Sequence, residues 1–252
     1  MPELPDLVHI VRALSPELAG KAVVAAAVKE PIVLRILIPG GFGEILEGAR
    51  FRGLERHGPF LRFSLERDQI QPSRPLRLDL IMHLMLTGRL RLAAKGEKRL
   101  PYTAFTLGLD DGRELSYADE KKMGKIYLCG PGQTASIPLY ESQGIDVSSP
   151  AFTWELFESL IAKKRSQARV FIMDQAALSA IGNAYADEIL FEAGIHPKTP
   201  CYSLDAAKRR ALYESIKSVL AWGIAEVEAA GAPLEDKVRG QDRKSTRLNS
   251  SH

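Results

Sequence analysis

Apolar positions recur at two different periods along this chain, and the change from one to the other divides it. Residues 7–14 carry apolar side chains at helical spacing, which predicts an opening helix that ends before Pro16 and Gly20. Short runs of strand type follow at 22–28, 32–38, 61–65, 76–82, 89–92, 105–109 and 126–128. Turn signals separate them, among them Pro39-Gly40-Gly41, Asp110-Asp111-Gly112 and Gly130-Pro131-Gly132. The stretch from Leu107 to Leu115, centred on Asp110-Asp111-Gly112, predicts a hairpin. Many short strands punctuated by Gly, Pro and Asp point to a sandwich or a barrel.

Around Ser148-Ser149-Pro150 the texture becomes helical. Thr153 suits the cap of a helix whose Leu156, Phe157, Leu160 and Ile161 share a face. A second helical pattern spans 173–181 and a third 184–193, stopped by Gly194 ahead of Pro197. A fourth starts near Ser203 and carries Leu212, Ile216, Val219, Leu220, Ile224 and Val227 at close to 3.6-residue spacing. The chain therefore reads as α+β: a β-rich domain over 1–133 opened by one helix, a linker over 134–149, and an all-α domain over 150–238. Residues 239–252 have no amphipathic period and read as a disordered or non-native tail.

Composition changes this picture little. A hydrophobic content of 45% and a charged content of 26% belong to a globular chain. No apolar run approaches a membrane span and no signal pattern opens the sequence, so a cytoplasmic protein with no membrane partner is expected. Cys129 and Cys201 lie far apart without CxxC spacing and read as two free thiols, not as metal ligands. The net charge of +3 is matched by Arg243, Lys244 and Arg247 in the tail, so overall charge says nothing about nucleic acid.

The candidate chemistry lies at the start. An initiator Met is removed when a small residue follows, and Pro2 then presents a secondary amine. Such an amine is a nucleophile that forms an iminium ion with an aldehyde, splitting one substitution into two easier steps. Glu3 beside it is placed to move protons at the same centre. Further on, Gly182-Asn183 joins the second and third helical patterns, Gly182 as a candidate for positive φ and Asn183 as a candidate N-cap. Uncapped N–H groups at that helix end would suit a phosphate, while a plain helical corner explains the pair equally. Asp187 and Glu188 fall where a helix dipole favours acids.

Three sets of residues together resemble one family. Pro2-Glu3-Leu4-Pro5, His83-Leu84-Met85-Leu86-Thr87-Gly88, and Met173-Asp174-Gln175 with Gly182-Asn183-Ala184-Tyr185-Ala186-Asp187-Glu188 and Ala193-Gly194-Ile195-His196-Pro197 resemble the formamidopyrimidine-DNA glycosylase / endonuclease VIII family over about residues 1–240. The resemblance implies an N-terminal β-sandwich followed by a helix–two-turn–helix domain. It also implies a bifunctional DNA glycosylase/AP lyase of base-excision repair, which flips a damaged base out of duplex DNA. On that resemblance Pro2 attacks C1′ of the sugar, Glu3 is the proton donor that opens the ribose, and elimination then cuts the strand. Asn183 grips a phosphate beside the lesion, His83 reaches the backbone or is structural, and Asp6 keeps the carboxylate of the family's usual Glu. The implied partner is damaged double-stranded DNA, bound by a monomer at the bacterial nucleoid.

The chain departs from the family pattern in three further respects. The family's backbone-contacting lysine is replaced by Pro59 within Arg56-His57-Gly58-Pro59-Phe60-Leu61, leaving Arg56 or His57 as substitutes. The wedge that fills the vacated stack, typically Met, Arg and Phe, corresponds here to Leu86, Lys122 and Met123. Lys122 lacks the planar fork of Arg. The C-terminal ribbon with four cysteines and one structural zinc has no counterpart after Val238, so no cofactor is expected in this chain and a truncation near Gly240 is the favoured account. Two competing readings remain: a lesion-binding protein disabled by these changes, and an N-terminal-proline tautomerase, which shares only Pro2.

Overall fold

The computed structural model describes residues 1–67, 76–94, 96–231 and 233–234. The expectation for 239–252 lies outside them. Two compact units form: one from residues 1–2, 7–141 and 233–234, the other from residues 3–6 and 142–231. The stretch 134–149 is thus divided between the units.

The first unit holds α1 (Leu4–Leu18) from Leu7 onward, then β1 (Val23–Val28), β2 (Leu34–Ile36), α2 (Phe42–Leu46), β3 (Arg50–His57), β4 (Phe60–Arg67), β5 (Leu76–His83), β6 (Gly88–Ala94), β7 (Thr103–Leu109), β8 (Arg113–Asp119) and β9 (Lys125–Cys129). One sheet has the order β1-β7-β8-β6, the other β2-β9-β5-β4-β3. Two separate sheets make this a sandwich and not a closed barrel. The hairpin read around Asp110 forms in register, with Leu107 opposite Leu115.

The central strands β5 and β9 of the five-stranded sheet are buried on both faces, over residues 78–82 and 126–129. Register places Leu61, Phe63 and Leu65 opposite Met82, Leu80 and Leu78 on one face. On the other face Phe60, Ile81, Tyr127 and Cys129 gather with Ile137 and Tyr140. A charged pair is built into that layer: the two oxygens of Asp79 accept from Arg62 Nε at 2.9 Å and Nη2 at 2.8 Å. This bidentate pair raises the Arg62 pKa further.

Several expectations fail here for physical reasons. α1 continues to Leu18 with Pro16 in its last turn, where the chain no longer needs to propagate the helix. Of the strand expected over 32–38 only Leu34–Ile36 forms, because Pro31 opens a 3₁₀ turn over Pro31–Val33. β3 has no counterpart in the sequence reading. Its buried Phe51 and Leu54 are out of alternation because the register shifts between Phe51 and Gly53.

The second unit contains β10 (Ile145–Asp146), α3 (Trp154–Ile161), α4 (Ala168–Ile172), β11 (Leu178–Ser179), α5 (Asn183–Glu192) and α6 (Ala206–Ala230). Thr153 caps α3, its hydroxyl accepting from Leu156 N at 3.3 Å. Gly194 follows α5 at φ +61°, as its stop requires. α6 begins three residues after Ser203, because Asp205 takes the Lys208 amide at 2.7 Å and fixes the cap there. β10 and β11 pair in parallel.

The helix expected over 173–181 is a correction. The helix is α4, and residues 173–177 turn instead. Asp174 Oδ1 accepts from Ala176 N, and Gln175 Oε1 accepts from Ala180 N at 2.7 Å while its Nε2 donates to Ile181 O at 2.8 Å. These side chains offer the backbone partners that a helix would otherwise supply. Ala180 is held at φ +65° within this braced turn.

Candidate functional site

Glu3 precedes the first turn of α1, and Asp6 Oδ2 accepts the Glu3 amide at 2.8 Å. An acid at the third helical position reaching back in this way fixes the chain entering the helix. Asp6 therefore fixes the backbone of Glu3. The Glu3 side chain is 7% exposed and its oxygens accept from Gly182 N at 3.0 Å, Ala184 N at 3.0 Å and Tyr185 N at 3.1 Å. A side chain at the start of the sequence thus takes the free amides at the N-terminus of α5.

Three sequence expectations change at this corner. Gly182 is at φ −117° and is the N-cap, so it is not needed for positive φ. It is needed for space, since a Cβ there would lie 2.6 Å from Glu3 Cδ. Asn183 is the first helical residue and not the cap. The amides of 182, 184 and 185 face a carboxylate from within the chain, so the anion at this helix end is Glu3. Asn183 is exposed, and its Oδ1 accepts from Arg169 Nη2 at 3.1 Å. Asp187 lies beyond the first turn and pairs with Arg169 Nε at 3.0 Å.

Gln175 and Tyr185, which enter the sequence only as motif residues, hold this corner together with Gly223, which no motif marks. Gln175 braces the turn before it, as described above. Tyr185 is buried against Gly223 of α6, where a Cβ would overlap its ring. Burial, then the nearby Asp6 and Glu3, push the Tyr185 phenol far up. The position of Gly223 within a helix, where glycine costs about 1 kcal/mol, is the one signal that marks it.

Pro2 is buried and is peptide-bonded to Glu3. The remaining candidates lie in the first unit. Leu86 sits in the β5–β6 turn and is 43% exposed; Met123 sits in the β8–β9 turn and is 41% exposed. Lys122, at φ +52°, pairs with Glu30 at 3.0 Å. Arg56 Nη1 donates to Gly58 O at 3.1 Å across the β3–β4 hairpin. That hairpin has Gly58 at φ +54° followed by Pro59, whose ring fixes φ near −65°. This sign pattern is that of a type II′ turn, which explains a proline at that position on local grounds.

His83 ends β5 opposite Lys125, with its ring edge on Phe60 at 5.0 Å and its Nδ1 accepting from Met85 N at 3.1 Å. Burial, and after it the Lys125 charge, lower its pKa to about 4. The imidazole is neutral at pH 7, so it is not a cationic phosphate ligand. Because the folded value lies below the unfolded one, the unfolded chain binds more protons between pH 6.5 and 4 and stability falls across that window. The shift from 6.5 to about 4 corresponds to about 3 kcal/mol lost in full below pH 4. A proton titration of the His83 ring by NMR is expected to show a midpoint near 4, and a midpoint at 6 or above contradicts this placement.

Among the described residues no three of His, Cys, Asp or Glu converge to hold a metal. Cys129 and Cys201 are buried, one in each unit, and burial pushes the Cys129 thiol up to about 11. These residues do not fit the zinc that the resemblance implies. No helix among the described residues is long and apolar enough to cross a membrane.

The chain thus combines a two-sheet sandwich with a helical unit and carries an acid next to Pro2. The family model of the formamidopyrimidine-DNA glycosylase N-terminal domain matches residues 1–126, and that of the formamidopyrimidine-DNA glycosylase H2TH domain matches residues 143–232. The chain belongs to the formamidopyrimidine-DNA glycosylase family. It is 31% identical over 252 residues to the formamidopyrimidine-DNA glycosylase of Moorella thermoacetica, covering all of this chain and 87% of that one. With the Symbiobacterium thermophilum protein of the same name it shares 33% over 220 residues, 87% of this chain and 69% of that one. Among solved structures it is similar to the MutM (Fpg) protein of Thermus thermophilus, with a TM-score of 0.75 and 29% identity over 89% of this chain and 77% of that one. It is also similar to Lactococcus lactis Fpg in complex with DNA containing an abasic site, with a TM-score of 0.77 and 26% identity over 89% and 80%.

Proposed function

We propose that this chain is a base-excision repair DNA glycosylase with AP lyase activity whose nucleophile is the amine of Pro2. Family membership supplies the reaction class. The observation that carries the assignment of residues is the buried Glu3 carboxyl group, peptide-bonded to Pro2 and fixed by the amides of Gly182, Ala184 and Tyr185. A group held by three donors and packed against Gly182 has one position, which is what a proton-transfer residue needs.

In this reading Met1 is removed and the Pro2 nitrogen attacks C1′ of the damaged nucleotide. As the N–C1′ bond forms, the C1′–base bond breaks and the base leaves with a proton from water. Glu3 takes the proton that the new ammonium nitrogen gives up and passes it to the ring oxygen as the C1′–O4′ bond opens. The iminium ion that results withdraws electrons from C2′, a C2′ proton is lost, and the 3′ phosphate leaves. Water then releases Pro2. The substrate class is damaged double-stranded DNA, in line with the Lactococcus lactis complexes with abasic-site and N7-benzyl-Fapy-dG containing DNA, with Asn183, Arg56 and His83 as backbone-side contacts and Leu86, Lys122 and Met123 as the wedge. For Lys122 this requires exchanging Glu30 for the nucleic acid. The protein acts as a monomer in the cytoplasm, at the nucleoid.

Borohydride reduction in the presence of an abasic-site duplex tests the assignment. A covalent adduct is expected, mapping to residue 2 by mass spectrometry. Pro2→Gly is expected to cut strand cleavage by roughly 10²-fold, the low end of what a positioned catalytic group supplies, while leaving duplex affinity in place. Cleavage that survives with Met1 retained would refute the amine mechanism, whereas binding without any adduct would favour a lesion-binding protein.

A further inference from the structure

Leu86 and Met123 stand on different turns, yet both turns end on the same buried group. Asp119, the last residue of β8, is 1% exposed. Its Oδ2 accepts from Tyr117 Oη at 3.1 Å and from Gly124 N at 2.7 Å, and its Oδ1 accepts from the Thr87 hydroxyl. The Thr87 oxygen in turn accepts the Lys121 amide at 3.1 Å, and the Asp119 carbonyl accepts the Lys122 amide at 3.2 Å. Thr87 belongs to the β5–β6 turn and Gly124 to the β8–β9 turn, so one carboxylate ties the two together.

Two further observations fit this junction. The residue before each exposed apolar side chain is a non-glycine in the left-handed region: Met85 at φ +52° precedes Leu86, and Lys122 at φ +52° precedes Met123. Such residues persist only where the surroundings over-determine them. The junction also excludes side chains on both turns. A Cβ at Gly124 or at Gly88 would overlap the Tyr117 hydroxyl oxygen, and one at Gly88 would also overlap Leu84 O. The phenol therefore reaches Asp119 through a gap that two glycines leave.

We propose that Asp119 is a positioning residue: it locks the Leu86 turn to the Met123 turn, so that the two apolar side chains enter a base stack as one rigid wedge. This rests on the wedge role given to Leu86 and Met123 above. A buried carboxylate that accepts from a hydroxyl, a phenol and an amide cannot be replaced by an amide side chain without turning one acceptor into a donor. Rigid presentation matters because unstacking a base step is costly and a mobile side chain spends part of the gain on its own ordering.

The test uses Asp119→Asn and, as the milder cut, Thr87→Val, which frees one turn and leaves the Tyr117 and Gly124 contacts. Hydrogen exchange of amides 84–88 and 120–124 is expected to speed up in both. Excision from a duplex carrying a formamidopyrimidine lesion is expected to slow about tenfold in single turnover, the scale of one lost hydrogen bond to a charged group. Borohydride trapping on a single-stranded abasic oligonucleotide, which needs no unstacking, is expected to stay unchanged. In a Leu86→Ala/Met123→Ala background, Asp119→Asn is expected to add no further slowing. The proposal is overturned if exchange in both turns is unaltered, if single-stranded trapping falls in parallel, or if Asp119→Asn slows the double-alanine protein as much as the parent. If exchange rises but Leu86→Ala/Met123→Ala excises at the parent rate, the wedge reading itself fails and the role of Asp119 goes with it.

Discussion

Glu3→Gln is expected to reduce single-turnover base excision by about 10²–10⁴-fold, the usual contribution of a positioned proton-transfer group. The glutamine has nearly the same shape, so the loss tests chemistry and not space. The structure adds a second effect. The carboxyl oxygens accept three amides, two on Oε2 and one on Oε1. Glutamine keeps one oxygen and turns the other atom into a donor that faces an amide, so at least one N–H at this helix end loses its partner. Leaving such a group unsatisfied costs about 1–3 kcal/mol, which urea denaturation reads as a lower midpoint. Trapping on a preformed abasic site should be affected less than excision, because the aldehyde is then already available to Pro2. An excision rate within a few fold of the parent would end the assignment of Glu3 as the acid.

Gly182→Ala is expected to be nearly as damaging, although alanine is the best helix former and the site begins a helix. The added methyl would sit 2.6 Å from both Cδ and Oε1 of Glu3, closer than real Cβ atoms approach. φ at this position is −117°, so alanine brings no backbone strain and the whole effect is steric. Either the carboxyl group leaves its three amides or the turn moves. Overpacking of this kind costs about 1–3 kcal/mol, and a displaced acid forfeits about 10²-fold in rate or more. Stability and excision rate measured on one preparation check both. An alanine protein as active and as stable as the parent would show that the contact between Gly182 and Glu3 is not maintained in solution.

Much of the fold was legible where local rules decide. The Leu107–Leu115 hairpin was read from Asp110-Asp111-Gly112 and forms in that register, because turn residues and alternation fix it within nine positions. The Thr153 cap and the Gly194 stop are equally local. β3 was invisible, since a register shift at Gly53 breaks the alternation of Phe51 and Leu54 that would have marked it. The pattern over 173–181 looked helical, yet the side chains of Asp174 and Gln175 bond the same backbone groups that a helix would use. Periodicity carries no information about that competition. At the candidate site, Pro2, Glu3 and the Gly182-Asn183 corner stand out in the chain alone, but Gly182 serves through its missing side chain and not a positive φ, and Asn183 follows the cap.

The sequence by itself determined that the groups of the proposed chemistry are neighbours. Pro2 and Glu3 are joined by one peptide bond, and no folding is needed to bring an amine beside an acid. It also determined the two textures, strand then helix, since periods of 2 and 3.6 follow from backbone geometry. Only the tertiary structure decided what fixes the acid and what steadies the two exposed apolar side chains. The amide that Glu3 meets at Gly182 is 179 positions away, and Asp119 meets Thr87 across 32. Hydrogen bonds of that kind gain their strength from burial, which removes competing water, and burial is a property of the packed chain that no local pattern encodes.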